Sequence, residues 1–464
     1  MSGRILAGPG VRNPLGFYPA YRRDPLTLFY EQAVAHGGSV RLRLVHQHLH
    51  LLVEPEHINQ VLVTNAAAYA KGISYQSLNH MLGPGLLTSG GELWKRQRAL
   101  IKPAFARRHV ETEVPLMLAC GERMLARLDA HAASGAAFDL VPELMGFAAD
   151  VVCRAVMGAD IDGVLPQIED DVREGVDWVM RHMAAPVQIP PSVPTPANRR
   201  FRAALARLHR VVDEVIAGHR AADDGRSLLS RLLAARDDAG HAMDDEQLRH
   251  EVLTFLLAGH ETTGGALAWT VYELCRNPAV LERVRAEIDT ALVSGDLASG
   301  DLASVLSSLE LTGRAVDEAM RLHPPAWAFS RTALRADSFD RFDLEPGAIV
   351  VISPFVNHRF PDFWSSPLTF DPDRFIGERN RKRPPFHYFP FGWGAHLCVG
   401  RHMALVEVRV GLALLLARYD IELVNGLRVR ENPEISNTPD PVLVRLTRRA
   451  PAPSGVAVLA EAAR

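Results

Sequence analysis

The spacing of apolar and polar residues predicts a mainly helical chain with short β-strands near each end. Three long segments carry apolar residues at the three-and-four spacing of one helix face: Val110–Ala133, Leu140–Met157 and Ala197–His219. In Ser39–Val53, apolar and polar residues alternate around a short turn, which is typical of a β-hairpin. Later strands are expected at Ala348–Ile352 and Tyr419–Val424.

The longest predicted helix starts at Asp244, has Gln247 three residues on as in a capping box, and stops at Asn277 and Pro278. At about 1.5 Å per residue this helix is about 50 Å long, enough to cross the whole molecule. Its middle, Ala258–Gly265, reads AGHETTGG, and paired glycines and threonines are poor helix formers. The run predicts either a local distortion of the helix or a close crossing with a second helix at small residues.

Prolines interrupt the helical pattern once in the middle of the chain. Five of them follow one another closely: Pro186, Pro190, Pro191, Pro194 and Pro196. Because such a cluster cannot continue a helix, we expect a mobile connector that could act as a lid. The alanine- and proline-rich segment 451–464 is expected to be a disordered tail. No boundary divides the remainder, so residues 1–450 are expected to form one domain.

Composition narrows the class of protein. A chain of 464 residues, 47% hydrophobic and 23% charged, can bury a large core. A net charge of -3 with dispersed basic residues gives no sign of nucleic-acid binding. The four cysteines lie far apart and suggest neither disulfides nor CxxC sites, so we expect a cytoplasmic protein. Residues 1–25 contain no apolar run that would anchor the chain in a membrane.

Cys398 has the most informative surroundings in the chain. It lies in a glycine-rich turn, FGWGAHLCVG, and apolar residues at helical spacing follow from Val399. A cysteine at a helix N-terminus has its anionic form favoured by the helix dipole. Gly394 would let the backbone pass close to a flat ligand, and Gly400 would let an amide approach the sulfur. A lone cysteine is more often a small buried apolar residue, so a ligand role depends on this pattern.

The turn resembles the haem-binding loop of the cytochrome P450 family, FxxGxRxCxG, through Phe391, Gly394, His396, Cys398 and Gly400. Histidine stands where the family usually has arginine, and a cation is still possible there. The resemblance implies the family's mainly α fold, a roughly triangular helical prism with a small β-rich lobe formed by the hairpin near residue 45 and the later strands. It also implies haem b, with Cys398 as the iron ligand and His396 facing a propionate. Further cofactor contacts are expected at Phe391, Gly392, Gly400 and Ala258.

The AGHETT sequence in the long helix matches a second motif of the same family. A zinc HExxH motif is excluded, because Gly264 stands at its last position. In the family, a kink at AGHETT opens space for dioxygen and a water molecule. By resemblance, Thr262 hydrogen-bonds the oxygen species at the haem and Glu261 helps to relay protons.

Two further pairs have family counterparts. Trp94 and Arg98 share a helix face, and the family's WxxxR pair binds a haem propionate, as Arg331 is also expected to do. Glu318 and Arg321 lie at i and i+3, an arrangement that alone would indicate a surface ion pair. Together with the later Arg374 they resemble the family's buried structural cluster. The motifs occur in family order and span nearly the whole chain.

The resemblance implies a haem-thiolate monooxygenase that hydroxylates or epoxidises a hydrophobic molecule such as a fatty acid, terpenoid or polyketide. Family alignment places the Tyr75–Leu87 loop and the Met180 region at the substrate pocket. Expected pocket residues are mostly apolar or small: Leu86, Leu87, Ala258, Ala326, Trp327, Ala328, Phe329 and Thr438.

The electron source is expected to be a separate protein, because no flavin or dinucleotide fingerprint such as GxGxxG follows Cys398. A ferredoxin with its reductase, or a flavodoxin, would dock on a positive patch formed by Lys95, Arg96, Lys102 and Arg401. The protein itself is expected to be a monomer.

Two other classes remain open from the sequence. A haem-thiolate sensor, isomerase or dehydratase would keep the cysteine without activating dioxygen, although Glu261 and Thr262 argue against it. A zinc site at His396, Cys398 and His402 would lack the fourth ligand of a closed structural site.

Overall fold

The computed structural model describes residues 4–158, 165–185, 188–221, 225, 227–293, 308–424 and 429–449. The α-helices of this part, numbered in chain order, are α1 Tyr18–Arg23, α2 Pro25–Ala35, α3 Pro55–Asn59, α4 Ser74–Leu82, α5 Gly91–Ile101, α6 Arg107–Glu111, α7 Val114–Ser134, α8 Val141–Met157, α9 Leu165–Ala184, α10 Pro196–Ala221, α11 Leu228–Ala234, α12 Asp245–Arg276, α13 Pro278–Val293, α14 Glu310–Leu322, α15 Pro354–Asn357, α16 Gly377–Arg381 and α17 Arg401–Arg418. The strands are β1 Val40–Leu44, β2 Gln47–Leu52, β3 Tyr69–Lys71, β4 Phe138–Asp139, β5 Phe329–Ala333, β6 Asp337–Ser338, β7 Asp343–Leu344, β8 Ile349–Ile352, β9 Tyr419–Leu423, β10 Arg430–Pro433, β11 Asn437–Asp440 and β12 Leu443–Arg448.

Helix α12 runs through the centre of the fold. The Asp244 carboxylate caps it by accepting a hydrogen bond from the Gln247 N–H at 2.7 Å, and the side chain of Asn277 donates to the Glu273 carbonyl at its other end. Both predicted ends are therefore confirmed. The small residues of its middle bring it close to α8, because a Cβ at Gly259 would lie 2.6 Å from Val152. Of the two alternatives for this run, the close helix crossing is thus present.

The helical core is built around α12 because its neighbours bury their apolar faces against it. Helices α7, α8, α14 and α17 share one hydrophobic cluster with α12, and the fully buried Trp269 is its largest side chain. A second cluster joins α12 to α4, α5 and the α8–α11 region. Burial of this apolar surface is the main favourable term in folding.

A five-stranded sheet of order β1-β2-β8-β5-β3 forms most of the β-rich lobe. Strands β1 and β2 form the predicted antiparallel hairpin, and β2 then pairs in parallel with β8, with Leu49 opposite Ile349. Strand β9 was expected in the same lobe, but it lies in a separate sheet of order β4-β12-β9. The β10–β11 hairpin packs on α12, where the Trp269 indole N–H donates to the Asn437 carbonyl at 3.0 Å.

Two predicted segments differ from the structure. The segment Val110–Ala133 is divided between α6 and α7, because Pro115 lies in the first turn of a new helix. The Tyr75–Leu87 segment, predicted as a loop, contains helix α4 and only then a turn.

The described part of the proline-rich connector, residues 188–195, is held by a buried side chain. Asn198 donates to the carbonyls of Pro190 and Val193 at 3.0 and 2.8 Å and accepts from the Trp178 indole at 2.7 Å. These bonds fix the segment that was expected to be mobile. Pro186 and the expected tail, residues 451–464, lie outside the described residues. No helix among the described residues is long and apolar enough to cross a membrane.

Candidate functional site

The cysteine loop is a tight turn closed by backbone hydrogen bonds. Gly392 and Gly394 have φ values of 73° and 70°, a region that favours glycine. A Cβ at Gly394 would also lie 2.5 Å from the Leu62 carbonyl oxygen, so no other residue fits. The Cys398 N–H donates to the Phe391 carbonyl at 3.0 Å, and Gly400 caps the start of α17. The sequence-predicted cysteine at a helix start is therefore present.

The environment of the Cys398 sulfur has opposing effects on its charge. The residue is accessible to solvent, yet protein atoms surround it closely enough that burial raises the pKa of the thiol. The N–H groups of Gly400 and Arg401 and the guanidinium of Arg98 act in the other direction. Because burial is the larger effect, the helix start alone does not make the thiolate.

Helix α5 brings Trp94 and Arg98 to the cysteine loop. The ring of Trp94 packs on the ring of His396, with centroids 3.9 Å apart, and the Arg98 guanidinium lies 5.6 Å from the Trp94 ring. Arg98 also donates to the carbonyl of Leu397 at 2.9 Å, directly beside Cys398. The predicted i, i+4 pair thus contacts both the histidine and the backbone of the loop.

Three cations converge on His396. Burial and the charges of Arg331, Lys71 and Arg98 lower the pKa of His396 to about 3, so its imidazole is neutral. The sequence left open a positive charge on His396, but its side chain does not carry one in this structure. The positive charge comes from its neighbours instead.

Lys71 is the residue of this cluster that sequence reasoning missed. It lies directly opposite Arg331 where β3 and β5 pair, although like charges in such a position are destabilising. Burial and Arg331 lower the pKa of Lys71 to about 7. Lys71, Arg331 and Arg98 form what we call the cation cluster, a donor set suited to an anion with several oxygens. The only signal in the sequence would have been the pairing of two strands far apart in the chain.

The middle of α12 is open where the rest of the helix is buried. Ala258 is exposed and Thr262 is half-buried, whereas residues 251–257 and 263–274 are buried. The Thr262 hydroxyl donates to the Ala258 carbonyl at 2.5 Å, a bond that bends helices. The helix is nonetheless continuous from Asp245 to Arg276, so the expected distortion does not interrupt it.

Glu261 is half-buried one position before Thr262. Its carboxylate accepts a hydrogen bond from the Ser436 hydroxyl at 3.0 Å. Burial raises the pKa of Glu261, the Ser436 hydrogen bond lowers it, and the nearby charge of Glu434 raises it. The net direction is upward, which favours the protonated form of this carboxyl group.

The structure brings Glu318, Arg321 and Arg374 together in the core. Glu318 and Arg321 are fully buried and form a two-pronged ion pair with distances of 2.7 and 2.8 Å. Arg374 donates to the same carboxylate at 3.2 Å, as does the backbone N–H of Asp371 at 2.9 Å. Arg321 also donates to three backbone carbonyls, those of His358, Pro367 and Thr369.

The expected pocket residues divide into two groups. Those at partly accessible positions are Leu87, Ala258, Ala326, Ala328, Phe329 and Thr438. Trp327 does not fit this group, because its ring packs in the core of the β-rich lobe against Phe29 and its indole N–H donates to the Glu434 carbonyl at 3.1 Å.

Leu86 is buried and held through its backbone on both sides. Its N–H donates to Glu251 and its carbonyl accepts from the Lys71 ammonium, both at 2.8 Å. Glu251 is itself fully buried, and burial raises its pKa to about 7. We call this arrangement the Leu86 clamp, which ties the segment after α4 to α12.

The expected positive patch is smaller than the sequence indicated. Arg96 pairs with Asp237 at 2.7 Å and also bonds Gln247 and the Ala242 carbonyl, so it holds two parts of the chain together. Lys95 pairs with Glu92 at 2.6 Å. Lys102 and Arg401 are exposed and remain available to a partner.

Among the described residues, no three His, Cys, Asp or Glu side chains are grouped so that they could hold a metal ion. The zinc alternative at His396, Cys398 and His402 therefore lacks a ligand set.

Comparison with known proteins gives concordant matches. The family model for Cytochrome P450 matches residues 14–446. Cyclooctatin synthase of Streptomyces melanosporofaciens is 34% identical over 444 residues, covering 95% of each chain. Pentalenene oxygenase of Streptomyces avermitilis is 32% identical over 453 residues, covering 96% of this chain and 97% of that protein. The crystal structure of the cytochrome P450DA heme domain has a TM-score of 0.86 at 25% identity, covering 96% of this chain and 98% of that one.

This structural likeness confirms the mainly helical fold with its small β-rich part. The fold and the named relatives together indicate the class of haem-dependent oxidoreductases. The chain belongs to the cytochrome P450 family and is a monooxygenase. The family implies a haem-iron cofactor, dioxygen, a substrate and a redox partner.

Proposed function

We propose that this chain binds haem b through Cys398 and uses it to hydroxylate or epoxidise a hydrophobic small molecule. The observation that carries the proposal is the cation cluster beside the cysteine loop. Lys71 and Arg331 face each other across a strand pair near Arg98, which is unfavourable unless an anion joins them. The two propionates of haem supply that negative charge, and His396 and Trp94 lie at the same place.

The donor set at the cysteine loop also fits the group. An iron cation stabilises a coordinated thiolate, and this supplies the charge balance that burial of the Cys398 sulfur otherwise opposes. Gly394 lets the loop pack against the Leu62 backbone, which holds the sulfur in place. Phe391, Gly392, Gly400 and Ala258 are proposed as further cofactor contacts.

Each residue of the site has a proposed task. Bound haem supplies the activation of dioxygen. The Thr262 hydroxyl acts as a proton donor at the exposed part of α12, and Glu261 delivers protons to this hydroxyl. The apolar pocket residues exclude water and orient the substrate. Glu318, Arg321 and Arg374 hold the fold behind the cysteine loop.

A terpenoid is the proposed substrate class. The relatives named cyclooctatin synthase and pentalenene oxygenase favour it over a fatty acid or polyketide. The acid and alcohol pair Glu261 and Thr262 favours oxygenase chemistry over a sensor, isomerase or dehydratase. We further propose a cytoplasmic monomer with one domain, residues 1–450, that receives electrons from a ferredoxin and its reductase or from a flavodoxin. Lys102 and Arg401 are the proposed docking residues.

Replacing the ligand tests the cofactor assignment. Reduced protein treated with carbon monoxide is expected to show the red-shifted Soret band of thiolate ligation, and Cys398→Ala is expected to lose it. Cys275→Ala, which removes a half-buried cysteine elsewhere, is the matched control and should retain the band. A Cys398→Ala protein that kept the band would refute the assignment.

A further inference from the structure

The β10–β11 hairpin carries a hydroxyl group to the acid of α12. Ser436 lies in the turn of this hairpin, is 1% exposed, and donates a hydrogen bond from its hydroxyl to Glu261 at 3.0 Å. The two residues are far apart in the chain, so the contact is made only by tertiary packing. A buried hydroxyl on a carboxyl group can both donate and accept a hydrogen bond, so it can pass a proton along.

The same turn carries a second acid. Glu434 is exposed, and its charge raises the pKa of Glu261. Burial and the charges of Asp177 and Asp440 raise the pKa of Glu434 in turn. The N–H of Glu434 donates to the Ser436 carbonyl at 3.2 Å, which closes the turn around them. A surface acid, a buried hydroxyl and the half-buried acid of α12 therefore occur together.

The turn is held in place without the Ser436 hydroxyl. The Trp327 indole donates to the Glu434 carbonyl at 3.1 Å, and the Trp269 indole donates to the Asn437 carbonyl at 3.0 Å. The Asn437 N–H also donates to the Pro325 carbonyl at 2.9 Å. Because these anchors use the backbone, the hydroxyl is not needed to keep the hairpin on α12. The remaining contact of the Ser436 hydroxyl is with the Glu261 carboxyl group.

We propose that Ser436 and Glu434 form the route by which Glu261 regains protons from solvent. This deepens the proposed oxygenase function and depends on the role of Glu261 in it. For each proton that Glu261 releases toward the site, it takes the hydroxyl proton of Ser436 while Ser436 takes a proton from Glu434 through water, in one concerted transfer that forms no alkoxide. Glu434 is then reprotonated from bulk water. No heavy-atom bond changes, and one proton moves inward per cycle. Ser436 is thus a positioning and relay residue for Glu261.

An infrared titration tests the contact without turnover. The protonated carboxyl band of Glu261, identified by its loss in Glu261→Gln, is followed against pH in the purified haem-loaded protein. Ser436→Ala is expected to raise the pKa of Glu261 because it removes a hydrogen bond to the carboxylate. Glu434→Gln is expected to lower that pKa because it removes a neighbouring negative charge. Ser436→Thr keeps the hydroxyl and should match the parent.

Coupling of electron consumption to product formation tests the relay itself. Ser436→Ala and Glu434→Gln are each expected to lower coupling by about tenfold and to increase the solvent isotope effect, whereas Ser436→Thr restores both. Thr262→Ala serves as the reference for uncoupling. Unchanged coupling and isotope effect in Ser436→Ala and Glu434→Gln would overturn the relay while leaving the oxygenase function intact. Unchanged coupling in Glu261→Gln would overturn the role of Glu261 as well.

Discussion

At the scale of single residues, the site is organised around a concentration of positive charge from Lys71, Arg98 and Arg331. Arg98 and Arg331 were identified from the sequence because each belongs to a recognisable segment, but Lys71 was not. Its place opposite Arg331 depends on the pairing of β3 with β5, which no local pattern reveals. Ser436 was missed for the same reason, since its contact with Glu261 exists only after the hairpin packs on α12.

The charge of Lys71 predicts how the stability of the haem-free protein depends on pH. The pKa of Lys71 is about 7 in the folded chain and about 10.4 in an unfolded one, so between these values the unfolded chain binds more protons. Stability should therefore rise as pH increases from about 7 to about 10. Lys71→Met is expected to flatten this rise in urea unfolding, and to speed haem loss to an acceptor protein.

Lys95→Met is the control for that experiment, because Lys95 is exposed and pairs with Glu92 outside the cluster. It should change neither the pH dependence nor haem retention. If Lys71→Met retained haem as well as the parent, Lys71 would have no role in anion binding.

At the scale of elements, periodicity predicted the helices well and their boundaries less well. The ends of α12 were identified because both Asp244 and Asn277 act locally, through side chains that bond the nearest turn. The division between α6 and α7 was missed because the apolar pattern continues across it, although Pro115 lies in the first turn of α7. The connector near Pro190 was expected to be mobile because its prolines cannot continue a helix. The buried amide of Asn198, five and eight residues from the carbonyls that it bonds, holds it instead.

The Leu86 clamp predicts that one buried carboxylate positions a pocket segment. Glu251→Ala leaves the Leu86 N–H without its acceptor and is expected to cost about 1–3 kcal/mol in the free energy of unfolding. It should also weaken substrate binding, because Leu86 precedes the partly exposed Leu87. Glu251→Gln keeps an acceptor oxygen and is the matched control. Spectral titration with lipophilic compounds and urea unfolding measure the two effects, and equal behaviour of both variants would contradict the clamp.

At the scale of the whole molecule, the buried ion cluster holds distant parts of the chain behind the cysteine loop. Glu318→Ala leaves Arg321 buried without its partner, and the expected loss is about 3–5 kcal/mol in the free energy of unfolding, with poor haem incorporation. Glu378→Ala removes an exposed pair with Lys382 and should cost about 0–1 kcal/mol. A haem-loaded Glu318→Ala protein of parental stability, impaired only in turnover, would show that the cluster is catalytic.

Electron delivery is the second prediction at this scale. Turnover is expected to need a ferredoxin and its reductase, to fall as salt concentration rises, and to fall further in Lys102→Glu and Arg401→Glu. Arg96 is unsuitable for this test, because its pairing with Asp237 makes it structural. Arg202→Glu, at an exposed position on α10, is the control. Turnover from NADPH alone would contradict the need for a partner.

The parallel pairing of β2 with β8 also governs how the protein is made. Leu49 lies opposite Ile349, so a ribosome must add roughly three hundred residues before the first of these strands can meet its partner. Until then the free edge of the β1–β2 hairpin is exposed to other nascent chains. Slow translation should therefore favour aggregation of incomplete chains, and expression with chaperones in excess should raise the yield of folded protein.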